Sequence, residues 1–148
     1  MTPRRLDRVL GIRKRAEREQ AQALGQAMRA ERERAAEADA AAERLEACMR
    51  QVSDTLGSAP RAGMLHNLGL TIRAAARALE DTAAAREAAS ETVARQQEHW
   101  VERRRDRRAI EKLTERRAEE ERVRAGRAEQ SRIDAFEHHR RSGGGGRA

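Results

Sequence analysis

Counted back from Leu56 in alternating steps of four and three, the chain holds one register through Val52, Met49, Leu45, Ala42, Ala38, Ala35, Glu31, Met28, Leu24, Ala21, Glu17, Lys14 and Leu10. Eleven of these fourteen positions are apolar; Lys14, Glu17 and Glu31 are the exceptions. A stripe that recurs every 3.5 residues for this long is a coiled-coil seam, which one helix buries against another. A second register runs through Leu65, Leu68, Ile72, Ala75, Leu79, Thr82, Arg86, Ala89, Val93, Gln96 and Trp100. Beyond Trp100 the same spacing meets Arg103, Arg107, Ile110, Thr114 and Arg117, so the seam weakens there.

The two registers are separated by "GSAPRAG", residues 57 to 63. Gly57 stands where a left-handed helix stop is expected, and Pro60 would break a continuing helix while suiting a turn. So short a connection makes its helices antiparallel neighbours. The expected fold is all-α: helix 1 over about 4–56, a turn at 57–63, and a longer helix 2 over about 64–140, zipped as an antiparallel coiled-coil hairpin. Residues 143–148 are expected to form a disordered Gly-rich tail. At about 1.5 Å per residue the paired part is about 70 Å long, and helix 2 overhangs it by roughly 30 Å. Its seam side chains are expected to include Leu24, Met28, Leu45, Met49, Val52 and Leu56 facing Leu65, Leu68, Ile72, Leu79, Val93 and Trp100.

Composition agrees with helix rather than with a globule. Charged residues make up 39% of the chain and aromatics 1%, but the bulk is Ala, Arg, Glu and Leu, which are strong helix formers. A disordered chain of this charge would carry Pro, Ser and Gly throughout. One cysteine, Cys48, excludes an internal disulfide. The basic start lacks the apolar stretch of a signal peptide, and no apolar run approaches the roughly 20 residues that span a bilayer. A cytoplasmic location is expected.

The net charge of +7 is uneven. Residues 1–20 carry seven basic and three acidic side chains, and residues 101–148 carry fifteen and ten. A hairpin brings both segments to its open end. The run "RRRDRR" at 103–108 invites a nucleic-acid reading, but Glu102, Asp106, Glu111 and Glu115 are interleaved and stacking aromatics are absent. A solvated helix face is the simpler account, and no nucleic acid is expected as a partner. Catalytic, cofactor and metal sites are not expected either. His138 and His139 leave a helix on different faces, no paired cysteines or HExxH occur, and a two-helix hairpin has no pocket to exclude water. No small-molecule substrate follows.

Three segments in order, "LDRVLGIRKR" at Leu6–Arg15, "EKLTERR" at Glu111–Arg117 and "EQSRIDAF" at Glu129–Phe136, resemble the FliJ family of flagellar export proteins. The similarity spans nearly the whole chain; Ala135 stands where an acidic residue is usual, and helix 1 has no aromatic residue. The resemblance implies a non-enzymatic stalk of the flagellar type III export apparatus, similar in plan to the rotary gamma subunit of ATP synthases. Its open end would enter the hexameric ring of the export ATPase, and its shaft would reach the membrane export gate and export chaperones. That places it at the cytoplasmic face of the inner membrane, peripherally and through partners, in flagellum biogenesis and hence motility and chemotaxis. The stalk of a virulence injectisome shares the plan.

On that reading the ring-docking residues are Arg4, Arg5, Leu6, Arg8, Val9, Leu10 and Arg13 on helix 1, with Arg132, Ile133, Phe136, Arg140 and Arg141 on helix 2. Ile133 and Phe136, three residues apart, share a helix face, and Phe136 is the sole phenylalanine in a polar run. An aromatic so placed suits an interface anchor. The competing arrangement folds Phe136 back on Leu6. Two further readings remain from the residues alone: a nucleic-acid-associated coiled coil, and a self-associating scaffold whose seam pairs between chains.

Overall fold

The computed structural model describes residues 3–143, with side-chain surroundings for residues 5–141. Two helices account for almost all of it: α1, Pro3–Leu56, and α2, Ala62–Gly143. They pack antiparallel as an all-α hairpin without strands among the described residues. Of residues 143–148, where the Gly-rich tail is expected, Gly143 belongs to α2 and 144–148 lie outside the described residues.

Packing clusters into two units, each built from both helices. One joins the chain through Ala16 to α2 from Arg104 onward; the other comprises Glu17–Arg103 and contains the turn. We call them the terminal unit and the turn unit.

In the turn unit, α1 buries or half-buries Glu17, Leu24, Glu31, Ala38, Leu45 and Val52, a strict seven-residue repeat. The second position of each repeat is where the structure departs from expectation. Gln20, Ala27, Ala41, Cys48 and Thr55 turn inward, three residues after five of the six repeat positions (Arg34, after Glu31, is exposed), while Ala21, Met28, Met49 and Leu56 lie exposed. A seam repeats as a and d, three residues apart, and a sequence count that follows the larger apolar side chains lands one residue further on. Around the middle, Ala35 and Ala42 join the interface as well. The deepest side chains of this unit, Ala38 and Ala41, are small, as expected where backbones approach closely. On α2, Leu68, Ile72, Ala75, Leu79, Thr82, Ala89, Val93, Gln96 and Trp100 are half-buried, but Leu65 and Arg86 are exposed.

The turn also differs from expectation. Among the described residues no glycine has a positive φ; the left-handed residue of the turn is Ala59, at φ 51°, just before Pro60. Ser58 closes the end of α1 instead, donating its backbone N–H (3.0 Å) and its hydroxyl (2.8 Å) to the Thr55 carbonyl. The Arg61 carbonyl then accepts from Met64 and Leu65 to start α2, whose first turn holds no acidic residue.

In the terminal unit the inward stripe of α2 continues through Arg107, Ile110, Glu111, Thr114 and Arg117. Here the stripe mixes Ile110 and Thr114 with the stems of long charged side chains, in keeping with the expected weakening of the seam. Arg107 and Glu111 pair at 2.5 Å within that stripe. After Arg117 every described side chain, from Ala118 to Arg141, is exposed.

Candidate docking surface of the terminal unit

The terminal unit presents two different surfaces, a paired section and an arm. In the paired section, α1 packs Leu6, Val9, Leu10, Arg13 and Ala16 inward. Leu6 is 1% exposed, the largest fully buried side chain described. It is therefore a packing residue, not part of an exposed docking patch. Val9 and Leu10 are half-buried beside it. Arg13 is also occupied: its Nη1 donates to Asp106 Oδ2 across the helices at 3.0 Å.

The opposite, outward faces carry the free charge. Arg5, Arg8, Lys14 and Arg15 on α1, and Arg105, Arg108, Lys112 and Arg116 on α2, are all exposed and make no ion pair. Asp106 and Glu111 are engaged with Arg13 and Arg107, leaving Asp7 and Glu115 as the unpaired acids of this section. Arg8 and Arg15 face away from α2, while Arg105, Lys112 and Arg116 face away from α1, because each lies off the inward stripe by about half a turn. The result is a cationic girdle around both sides of the pair. Four of the eight lie in "RRRDRR" and "RKR", and the others are scattered along the two helices. Residues 5–16 and 104–117 hold twelve basic and four acidic side chains, so the excess is already in the sequence, and the fold sets which faces carry it.

The arm, α2 beyond Arg117, has balanced charge of its own. Glu119 pairs with Arg122, and Glu120 lies 3.9 Å from Arg124, as neighbours on successive turns. Gln130 donates to Asp134 at 2.9 Å. Arg140 and Arg141 occupy the last turn, where cations oppose the negative end of the helix dipole. Among these polar residues stand Val123, Ile133 and Phe136, exposed by 43%, 48% and 68%. Phe136 does not fold back on Leu6. Arg132 is exposed beside them; Arg4 belongs to α1, with no description of its side chain. The expected docking residues thus fall in two places: Arg5, Leu6, Arg8, Val9, Leu10 and Arg13 on the paired section, and Arg132, Ile133, Phe136, Arg140 and Arg141 on the arm.

Among the described residues no group of three or more His, Cys, Asp and Glu side chains could hold a metal ion. Nor is any helix among them long and apolar enough to cross a membrane. Concave surface on the turn unit consists of open troughs lined by Ala38, Ala42, Leu79 and Ala83 on one flank and Ala36, Ala40 and Ala78 on the other.

The family pattern of the flagellar FliJ protein matches residues 2–144 of the chain. No curated protein and no solved structure matches it.

Proposed function

The chain belongs to the FliJ family, a non-catalytic component linked to flagellar export, and on that premise we propose that it is the stalk of the export apparatus, with its terminal unit seated in the ring of the export ATPase. The observation that carries this reading is the pairing of a girdle with bare anchors. Cations on the outward faces of both helices suit an acidic opening that surrounds the pair, whereas a flat surface would engage one side only. Ile133 and Phe136 on the arm supply the apolar contacts that a purely electrostatic seat would lack. The shaft formed by the remainder couples the ring to the export gate and export chaperones, at the cytoplasmic face of the inner membrane. The protein contributes no catalytic group to this work; it acts through binding and mechanical coupling.

The test is a variant carrying Ile133→Ala and Phe136→Ala. Both side chains are exposed, so helical circular dichroism should be unchanged, while co-sedimentation with the export ATPase hexamer should be lost. Undiminished ATPase binding by this variant would remove the arm from the docking surface. Binding that also ignores Arg8→Glu with Arg105→Glu would remove the terminal unit altogether.

A further inference from the structure

The turn unit carries a second unusual surface. Residues 47–72 hold only Arg50, Asp54 and Arg61 as formally charged side chains, in a chain that is 39% charged. The same stretch exposes Met49, Leu56, Met64, Leu65 and Leu70, each by 40% or more. These side chains do not form one stripe. Met49 and Leu56, seven residues apart, flank the seam of α1. Leu70 lies two residues from the half-buried Leu68 on one side and Ile72 on the other, so it points away from α1. A groove on a partner protein takes a single stripe of a helix. Apolar side chains on several faces around a turn suit a continuous apolar medium instead.

The charge around this surface is cationic. Arg61 makes no ion pair, and Arg73 donates to the carbonyl of its own helix at Gly69, at 3.3 Å, without an acidic partner. Asp54 is the sole acid between residues 47 and 72. Apolar side chains beside unpaired arginines match the two layers of an anionic membrane surface, acyl chains below and phosphates above.

We propose that the turn end binds directly to an anionic lipid bilayer, with Leu56, Met64 and Leu70 entering the acyl boundary and Arg61 and Arg73 meeting headgroup phosphates. The insertion is interfacial, on the order of 5–10 Å deep, and involves no spanning helix. It gives the chain a membrane contact of its own, separate from any contact made through partners. Neither the girdle nor the arm takes part, so the proposal stands apart from the stalk reading.

The experiment uses the full chain and sedimentation with vesicles of phosphatidylcholine, with and without phosphatidylglycerol. Binding to the phosphatidylglycerol vesicles is expected, and Leu56→Asp, Met64→Asp and Leu70→Asp together should weaken it about tenfold or more. Arg61→Glu with Arg73→Glu should remove the preference for phosphatidylglycerol. The girdle could also adsorb to anionic vesicles, but adsorption by exposed charge alone is screened at high salt. Raised salt should therefore leave a residual binding that the triple aspartate variant lacks. Circular dichroism checks that the variants stay helical, and binding to the export ATPase should be unaffected in all of them. Absence of vesicle binding by the unaltered chain overturns the proposal. So does undiminished binding by the triple aspartate variant, which assigns the lipid contact to the girdle. A chain that light scattering shows to be dimeric, and that this variant renders monomeric, would place a second copy on the patch and overturn it equally.

Discussion

Gln20 of α1 donates its side-chain amide to the Gln96 side chain at 2.5 Å and to the Gln96 backbone carbonyl at 3.3 Å, a part-buried polar link across the seam of the turn unit. A polar pair at a core position lowers stability relative to an apolar one while fixing which residues face each other. Replacing both by Leu should raise stability by about 1–2 kcal/mol and broaden the register, read as a wider distribution of spin-label distances between the helices. Gln20→Leu alone leaves the Gln96 side chain without that partner and should cost about 1 kcal/mol. A double variant less stable than the original would show that the pair is favourable in itself.

Ala59 holds the left-handed conformation at the turn, which costs an L-residue roughly 1–2 kcal/mol and glycine little. Ala59→Gly should raise stability by about 0.5–1 kcal/mol, since part of that gain is offset by the greater freedom of the unfolded chain. Gly57→Ala should be neutral to slightly stabilising, because the added methyl would meet the Asp54 carbonyl at an ordinary 3.4 Å. Urea denaturation monitored by circular dichroism measures both, and a loss from Gly57→Ala with no gain from Ala59→Gly would reverse the assignment.

Leu6 is the buried apolar anchor of the terminal unit. Leu6→Ala should cost about 2–3 kcal/mol locally. The cost should appear as faster amide exchange in residues 3–16 and 104–117, with slow exchange preserved in the turn unit. ATPase binding through the arm should outlast this change, whereas it should not survive loss of Phe136.

Arg13 and Asp106 keep about 39% and 49% of their side-chain surface in water. A pair so exposed contributes little, and Asp106→Ala should cost less than about 1 kcal/mol at low salt. The more telling outcome is electrostatic. Asp106→Ala frees Arg13 to add to the girdle, so binding of the unit to an acidic partner should strengthen and become more salt-dependent.

How far the sequence carries can be judged from these residues. The hairpin, the longer second helix and the position of the turn follow from periodicity and from one Pro-containing break, because both signals are local. The repeat positions Leu24, Leu45 and Val52 were legible for the same reason. Their companions were not: Gln20 and Thr55 face inward where Ala21 and Leu56 look better suited, since coiled-coil geometry, not size, selects the residue three positions on. That Leu6 faces inward and Arg13 meets Asp106 is not legible in composition, which does not say which side of a helix meets its neighbour. The exposed Phe136 was readable from the polar run that surrounds it. The basic excess behind the girdle was countable, but its spread over both outward faces required the inward stripes of the two helices.

The arm of α2 has consequences for work as well as for binding. A helix standing alone, with Gly126 midway and nothing within 4 Å of where its methyl would be, is close to the balance between coil and helix in water. Its ordering can therefore be coupled to whatever it meets, and its melting does not require the paired section to open. A bare single helix also bends and twists more readily than two held together. On the stalk reading proposed above, load passed through the arm would be stored first as elastic deformation of that segment, its compliant element.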